Sequence, residues 1–239
     1  MKKNLMLCLL ITTVLLISCS SSKKISDNHL SKKEKEQGYQ LLFDGKTMDG
    51  WRTYQNKSAQ SWEVSNGTLH CKGSSANYGA ITADLITKNE YENFDLSVDW
   101  KISPKGNSGI LYMVTEDNPY SYLSGPEYQI IDDKNFPEKL EDWQYTAANY
   151  AMNPAPAAAP NPVGQWNHAR IVVNQGHVEH WLNGKKVVEY DLHNDDWNKR
   201  KMSGKWKDVP TYGKSKRGHI TFQNHGSESW FKNIKIKEL

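Results

Sequence analysis

The sequence predicts an all-β chain, an antiparallel two-sheet β-sandwich, and three observations carry that expectation. Residues 94–102 read Phe-Asp-Leu-Ser-Val-Asp-Trp-Lys-Ile, apolar and polar in unbroken alternation, which is the period-2 signature of a strand with one buried face. Short apolar runs are separated by Asn66-Gly67, Gln175-Gly176 and Asn183-Gly184, pairs that tolerate the positive φ angles of tight hairpins. No long amphipathic helical pattern and no internal repeat interrupts this rhythm.

The elements follow in chain order. Residues 62–64 and 69–71 flank the Asn66-Gly67 turn and form a first hairpin. In residues 94–102, Phe94, Leu96, Val98, Trp100 and Ile102 face a core. Residues 108–115 make another apolar strand. Residues 169–173, 177–182 and 185–190 form a meander joined by the two later turns, and residues 229–237 close the chain as a last strand. Two stretches carry little β signal. Residues 133–164 include the proline-rich run 153–162, expected to be extended and stiff. Residues 194–217 are polar and basic, with Trp197, Trp206 and Tyr212 embedded. A long irregular segment in a compact domain is usually functional, so both are expected at the rim of the sandwich's polar face.

The first residues read as a targeting segment. Lys2 and Lys3 precede an apolar run over residues 5–17, too short to span a bilayer and suited to a signal peptide. The run ends Leu16-Ile17-Ser18-Cys19, which resembles a bacterial lipobox with Cys19 as the acylated residue; an ordinary secretory signal is the other reading. The expected division is a signal peptide over residues 1–18, a solvated Ser/Lys/Glu-rich tether over 19–37 and a single domain over 38–239. Ser20 after the cysteine favours, by resemblance to known lipoproteins, an outer-membrane anchor facing the periplasm. Of three cysteines, Cys8 goes with the leader and Cys19 to the lipid, so Cys71 has no partner for an internal disulfide. Stability must come from a core, which some 200 residues suffice to bury.

The formal charge of +3 drops to about +1 once Lys2 and Lys3 are removed. No basic patch is interleaved with aromatics, so nucleic acid is not an expected partner. Trp 9 and Tyr 12 against Phe 5 is an unusual balance. It suits stacking on sugar rings, although β-domains also use aromatics in strands.

Two strands carry chemistry on one face. In residues 125–133, Gly-Pro-Glu-Tyr-Gln-Ile-Ile-Asp-Asp, alternation sets Glu127 and Gln129 on one side and Tyr128 and Ile130 on the other. In residues 218–226, His219, Thr221, Gln223 and His225 share a side, opposite Ile220 and Phe222. Glu127 and His225 are the candidate acid–base pair: a shielded carboxyl rises toward working pH, and imidazole titrates near neutrality. Gln129, Gln223 and Asn107 would orient hydroxyls or hold a developing oxyanion through their amides; Asn107 also suits a turn. Tyr150, Trp206 and Tyr212 are candidate sugar-stacking walls, and Lys214 a candidate donor. His180 reads as structural. Asp132-Asp133 with Glu127 offer hard oxygens to a divalent cation, but the spacing matches no known ion loop; no cofactor is otherwise implied.

The chain resembles the 3-keto-disaccharide hydrolase family. The resemblance rests on an ordered set: Leu42-Phe43-Asp44-Gly45-Lys46 with Trp51, Trp62-Glu63-Val64 with Gly67, Glu90-Tyr91-Glu92-Asn93-Phe94, and Gly106-Asn107-Ser108-Gly109-Ile110. It continues with Gly125-Pro126-Glu127-Tyr128-Gln129, Trp166-Asn167, Trp181-Leu182-Asn183-Gly184, Gln223-Asn224-His225-Gly226 and Phe231-Lys232-Asn233-Ile234. It implies a concanavalin A-like jelly roll and cleavage of glycosides oxidised to a ketone at C3. Such a carbonyl acidifies the C2 hydrogen, so a base, oxyanion donors and a leaving-group acid suffice. A non-catalytic carbohydrate-binding module on the same scaffold is the alternative. Met113 stands where the family tends to place Arg or His, which opens a shifted substrate or a lost activity; Lys232 stands where Arg is usual.

Overall fold

A computed structural model describes residues 26–58, 60–73 and 83–239 of the chain. The expected leader, the expected acylation site at Cys19 and the start of the expected tether lie outside the described residues. The architecture is the antiparallel two-sheet jelly-roll sandwich that the sequence predicts. Its larger sheet runs β11 (Lys185–Asp191), β10 (His177–Leu182), β9 (Asn167–Asn174), β6 (Phe94–Ile102), β13 (Glu228–Glu238), β4 (Thr68–Lys72), β3 (Trp62–Ser65), with β1 (Gln40–Leu41) also on β13. The smaller sheet runs β2 (Trp51–Thr53), β5 (Leu85–Thr87), β12 (His219–Phe222), β7 (Asn107–Val114), β8 (Glu127–Ile131). The short strands β1, β2 and β5 have too few residues to show a period and were not expected from the sequence.

The hairpins form where their turn residues require. Asn66 and Gly67 have φ of 49° and 72°, Gln175 and Gly176 51° and 87°, and Asn183 and Gly184 50° and 82°, the pattern of two-residue turns matched to strand twist. The core lies between the sheets. Phe222 of β12 stacks on Phe231 of β13, with ring centroids 4.1 Å apart and planes 2° apart. Trp51 stacks on the same Phe222 at 4.9 Å. On β6 the five apolar residues are buried as their alternation implies. Asp95, buried on the other face, is held by both Nε and Nη2 of Arg170 at 2.8 Å. His180 is enclosed, donating from Nδ1 to the Ala147 carbonyl (2.9 Å) and bonded through Nε2 to the Tyr112 hydroxyl (2.8 Å). Burial lowers its pKa to about 4, so it is a neutral structural histidine.

Two expectations about irregular segments are corrected. Described residues 27–37 are docked rather than free. Asn28 is buried, accepting from the Asn233 N–H and donating to the Gly67 carbonyl. Lys232 and Lys235 of β13 pair with Asp27 and Glu34 at 2.7 and 2.6 Å. Helix α1 (Lys32–Glu36) begins at a Ser31 capping box and buries no side chain, so its charged residues are anchored by ion pairs instead of an apolar face. Within residues 194–217 a second helix, α2 (Asp195–Ser203), starts where the Asn194 side chain accepts from the Trp197 N–H.

The long segment after β8 turns back and pairs with it. Gln129 N–H donates to Ala148, Ala147 N–H to Gln129 and Tyr150 N–H to Glu127, all at carbonyl oxygens and 2.8–3.1 Å. This fixes Tyr150 beside Glu127.

Candidate active site

β7, β8 and the end of β12 together set up the polar hollow. Gly109 of β7 lies opposite Gln129 of β8, and Leu111 opposite Glu127. On the other side of β7, the Gly109 carbonyl accepts the Gln223 N–H at 3.0 Å. Strand parity therefore aims Glu127, Gln129 and Gln223 at a common space. A methyl group at Gly109 would overlap the Glu127 carboxyl; glycine is needed there because the carboxyl occupies the position of a side chain.

The result is a hollow of about 260 Å³ on the smaller sheet. Glu127, Gln129, Asn107 and Gln223 line its floor, His225 its rim, and Tyr150 and Trp206 its wall. Seven of the nine residues singled out in the sequence thus meet in one place. Two do not. Tyr212, 1 % exposed, lies behind the wall, sandwiched between Trp206 (4.1 Å, 7°) and Trp197 (6.2 Å, 5°). It is the backing of the aromatic wall, since a ring between two others has no face left for a sugar. Lys214 is exposed and outside the hollow. The lysine that reaches it is Lys205, whose Nζ lies 4.5 Å from the Tyr150 ring and 4.9 Å from that of Trp206. Tyr122, also in the lining, and Lys205 were missed because both come from irregular segments without a strand period.

Glu127 is 5 % exposed, and its carboxyl has no hydrogen-bond partner among the described residues. Burial drives its pKa up to about 8; the Asp84 carboxylate adds to the rise and the Lys205 ammonium opposes it. The carboxyl is thus protonated at neutral pH and a comparatively strong base once ionised. Gln129 uses its Oε1 to accept the Ile130 N–H at 3.0 Å, which leaves its –NH₂ as the group offered to the hollow. The Oε1 of Gln223 and Oδ1 of Asn107 are shut from water and have no partner among the described residues. Such atoms are costly unless a ligand satisfies them. Amide donors, amide acceptors, one carboxyl, an imidazole and an aromatic wall make a hollow suited to a hydroxylated ring.

A sequence profile described as the 3-keto-alpha-glucoside-1,2-lyase-like domain matches residues 38–237. The chain belongs to this family. Relatives of the lyase-like domain include the 3-keto-disaccharide hydrolase of Bacteroides thetaiotaomicron, 33% identical over 228 residues that cover 84% of this chain and 79% of that protein. A solved candidate glycosyl hydrolase from Parabacteroides distasonis is 43% identical, with a TM-score of 0.83 over 90% of this chain and all of that one. A second from the same organism is 27% identical, with a TM-score of 0.63 over 84% of this chain and 99% of its own length.

Other sequence features of the lyase-like domain fall outside this hollow. Met113 is buried at a β-bulge between β7 and β12, with φ of 55°. It lines a separate hollow with Glu92 and His193, so its departure from the family's Arg or His leaves the Glu127 hollow untouched. The cation reading of Glu127 with Asp132 and Asp133 is also corrected. Asp132 accepts from the backbone of Lys105, Lys134 and Asn135, and Asp133 from that of Thr146. Both line another cavity, beyond the end of β8 at Ile131. Among the described residues, the acid and imidazole group close enough to share a cation is His177, Glu179 and Glu189 on β10 and β11. Lys186 and Asp191 already pair with it.

Proposed function

We propose that this domain cleaves glycosides carrying a ketone at C3 by removing the C2 proton and expelling the C1 substituent. The observation that carries the reading is Glu127: an enclosed, unpaired carboxyl, pKa about 8, facing amide donors. Among the described residues lining the hollow it is the sole carboxyl. Ordinary glycosidases place two carboxyls across the scissile bond, whereas enolisation needs a single strong base with an oxyanion site.

In this reading the ionised Glu127 takes the C2 proton, and the C–H electron pair moves onto the C3 oxygen. The Gln129 –NH₂ and the Lys205 ammonium hold that enolate oxygen. The enolate then reforms the ketone, the C1–O bond breaks, and His225 gives its proton to the departing oxygen. Water adding at C1 of the unsaturated product yields the free 3-keto sugar. Trp206 and Tyr150 bound the ring, and Gln223 and Asn107 accept its hydroxyls.

The test is release of the leaving group from a 3-keto-glucoside. Wild type is expected to turn over; sugar binding without release would move the assignment to a binding module. His225→Ala is expected to cost roughly a hundredfold with an alkoxide leaving group. The loss should shrink to a few-fold with p-nitrophenoxide, which departs without a proton. Equal losses with both leaving groups would remove His225 from the acid role.

The same reading includes an envelope location, anchored through Cys19. Cells fed labelled palmitate are expected to label the wild-type protein and not Cys19→Ser; labelling of both would reject the anchor.

A further inference from the structure

His225 reaches the Glu127 hollow from the turn after β12, and its exposed ring makes no hydrogen bond among the described residues. A histidine that moves protons is commonly oriented through its second ring nitrogen, by a carbonyl or a carboxylate. Without such a partner, the place of the imidazole depends on the backbone that carries it. That backbone is fixed at both ends. The Gln223 N–H donates to the Gly109 carbonyl at 3.0 Å, and the Ser227 hydroxyl accepts the Asn107 N–H at 3.1 Å. Between the ends, the Asn224 Oδ1 accepts the Gly226 N–H at 3.0 Å and closes the turn around residue 225.

A further hold comes from outside the turn. Leu85 of β5 lies opposite Phe222, the last residue of β12, so antiparallel register brings Asp84 level with the turn. One Asp84 carboxyl oxygen accepts the Asn224 N–H at 2.8 Å, and the other accepts the Ser121 hydroxyl. The Asp84 carbonyl accepts the Tyr54 N–H at 2.9 Å. Ser121 is buried, and its own carbonyl receives both the N–H and the hydroxyl of Ser124, at 3.1 and 3.0 Å. Asp84 thus ties the turn that bears His225 to two rigid pieces of chain. We propose that Asp84 is a positioning residue for the reaction, acting through His225 by holding the Asn224 peptide so that the imidazole stands at the rim of the hollow. The inference rests on the acid role given to His225 above.

The experiment places Asp84→Ala and Asp84→Asn in the wild-type protein and in His225→Ala, and measures turnover of methyl and p-nitrophenyl 3-keto-glucosides. Alanine removes the acceptor. Asparagine keeps an oxygen for the Asn224 N–H and can turn its amide to the Ser121 oxygen. Asp84→Ala is expected to lower kcat on the methyl glycoside roughly thirtyfold, within the ~10²-fold that a misplaced group can cost, and only a few-fold on the p-nitrophenyl glycoside. Asp84→Asn is expected to recover most of that loss. In the His225→Ala background the alanine change should cost under about twofold, because residues that act as one unit do not add. Equal losses on both glycosides would overturn the proposal. So would the same loss in both backgrounds, which is what general damage to the fold produces, or an asparagine variant as slow as the alanine one. A second arm follows amide hydrogen exchange. The Asn224 and Gly226 N–H groups are expected to exchange roughly tenfold faster in Asp84→Ala than in wild type and to stay protected in Asp84→Asn. Unchanged protection in Asp84→Ala would reject the clamp. This arm needs no turnover, so it decides whether Asp84 holds the turn even where every 3-keto-glycoside proves inert and the reaction proposed above fails.

Discussion

Glu127→Gln is expected to lower turnover of a 3-keto-glucoside roughly a thousandfold, within the usual 10²–10⁴ range for loss of a general base, while making the fold more stable at alkaline pH. The second effect follows from the burial that makes the carboxyl useful. Its folded pKa is about 8 against an ordinary 4.5. The raised value means that the native state keeps a proton the unfolded chain has already released. Between pH 4.5 and 8 wild type therefore loses stability as pH rises, by about 1.4 kcal/mol per unit. The total is about 5 kcal/mol, complete above pH 8. The amide has no charge to desolvate and escapes this loss. Urea unfolding of both proteins from pH 4 to 9 should give curves that coincide at the acid end and diverge upward for the variant. Parallel curves would mean that Glu127 is not enclosed as described. In wild type, kcat/KM should climb with pH along a limb near 8, as the base ionises; a limb near 4 would assign that task to another group.

Gly109→Ala is expected to reduce kcat at least a hundredfold without touching any reacting atom. Its new methyl overlaps the Glu127 carboxyl across the β7–β8 pair. The acid must swing away or the strands must part, and overpacking of this kind typically costs about 1–3 kcal/mol. A carboxyl pushed toward water also loses its raised pKa, so the alkaline limb should move down in pH as the rate falls. An alanine variant with the wild-type rate and limb would show that the carboxyl has room to spare.

The parts of this molecule that were legible in the sequence share a period. Glu127 and Gln129 were found because alternate residues on a strand point the same way; Gln223 and His225 were read by the same period, although β12 ends at Phe222 and they reach the hollow from the turn after it. The apolar half of that alternation located β6 and the core. The failures lie where period is absent. Tyr212 and Trp206 look alike in a polar segment, and nothing local tells that one ring backs the other. Lys205 and Lys214 are nine residues apart in the same loop, and only the course of the chain after α2 decides which arrives. Asp84 sits just before a three-residue strand, β5, that has no pattern of its own. Residues 27–37 read as part of a free tether because they are charged; their partners, Lys232 and Lys235, stand about two hundred positions away.

The backbone bonds from residues 147–150 to β8 have a consequence for how the protein behaves in a crowded compartment. β8 ends the smaller sheet, and a terminal strand with bare amides is a template on which other chains can grow. Here the returning segment occupies that template. The strand that bears Glu127 is thereby guarded against self-association, and its peptide groups are held from both sides.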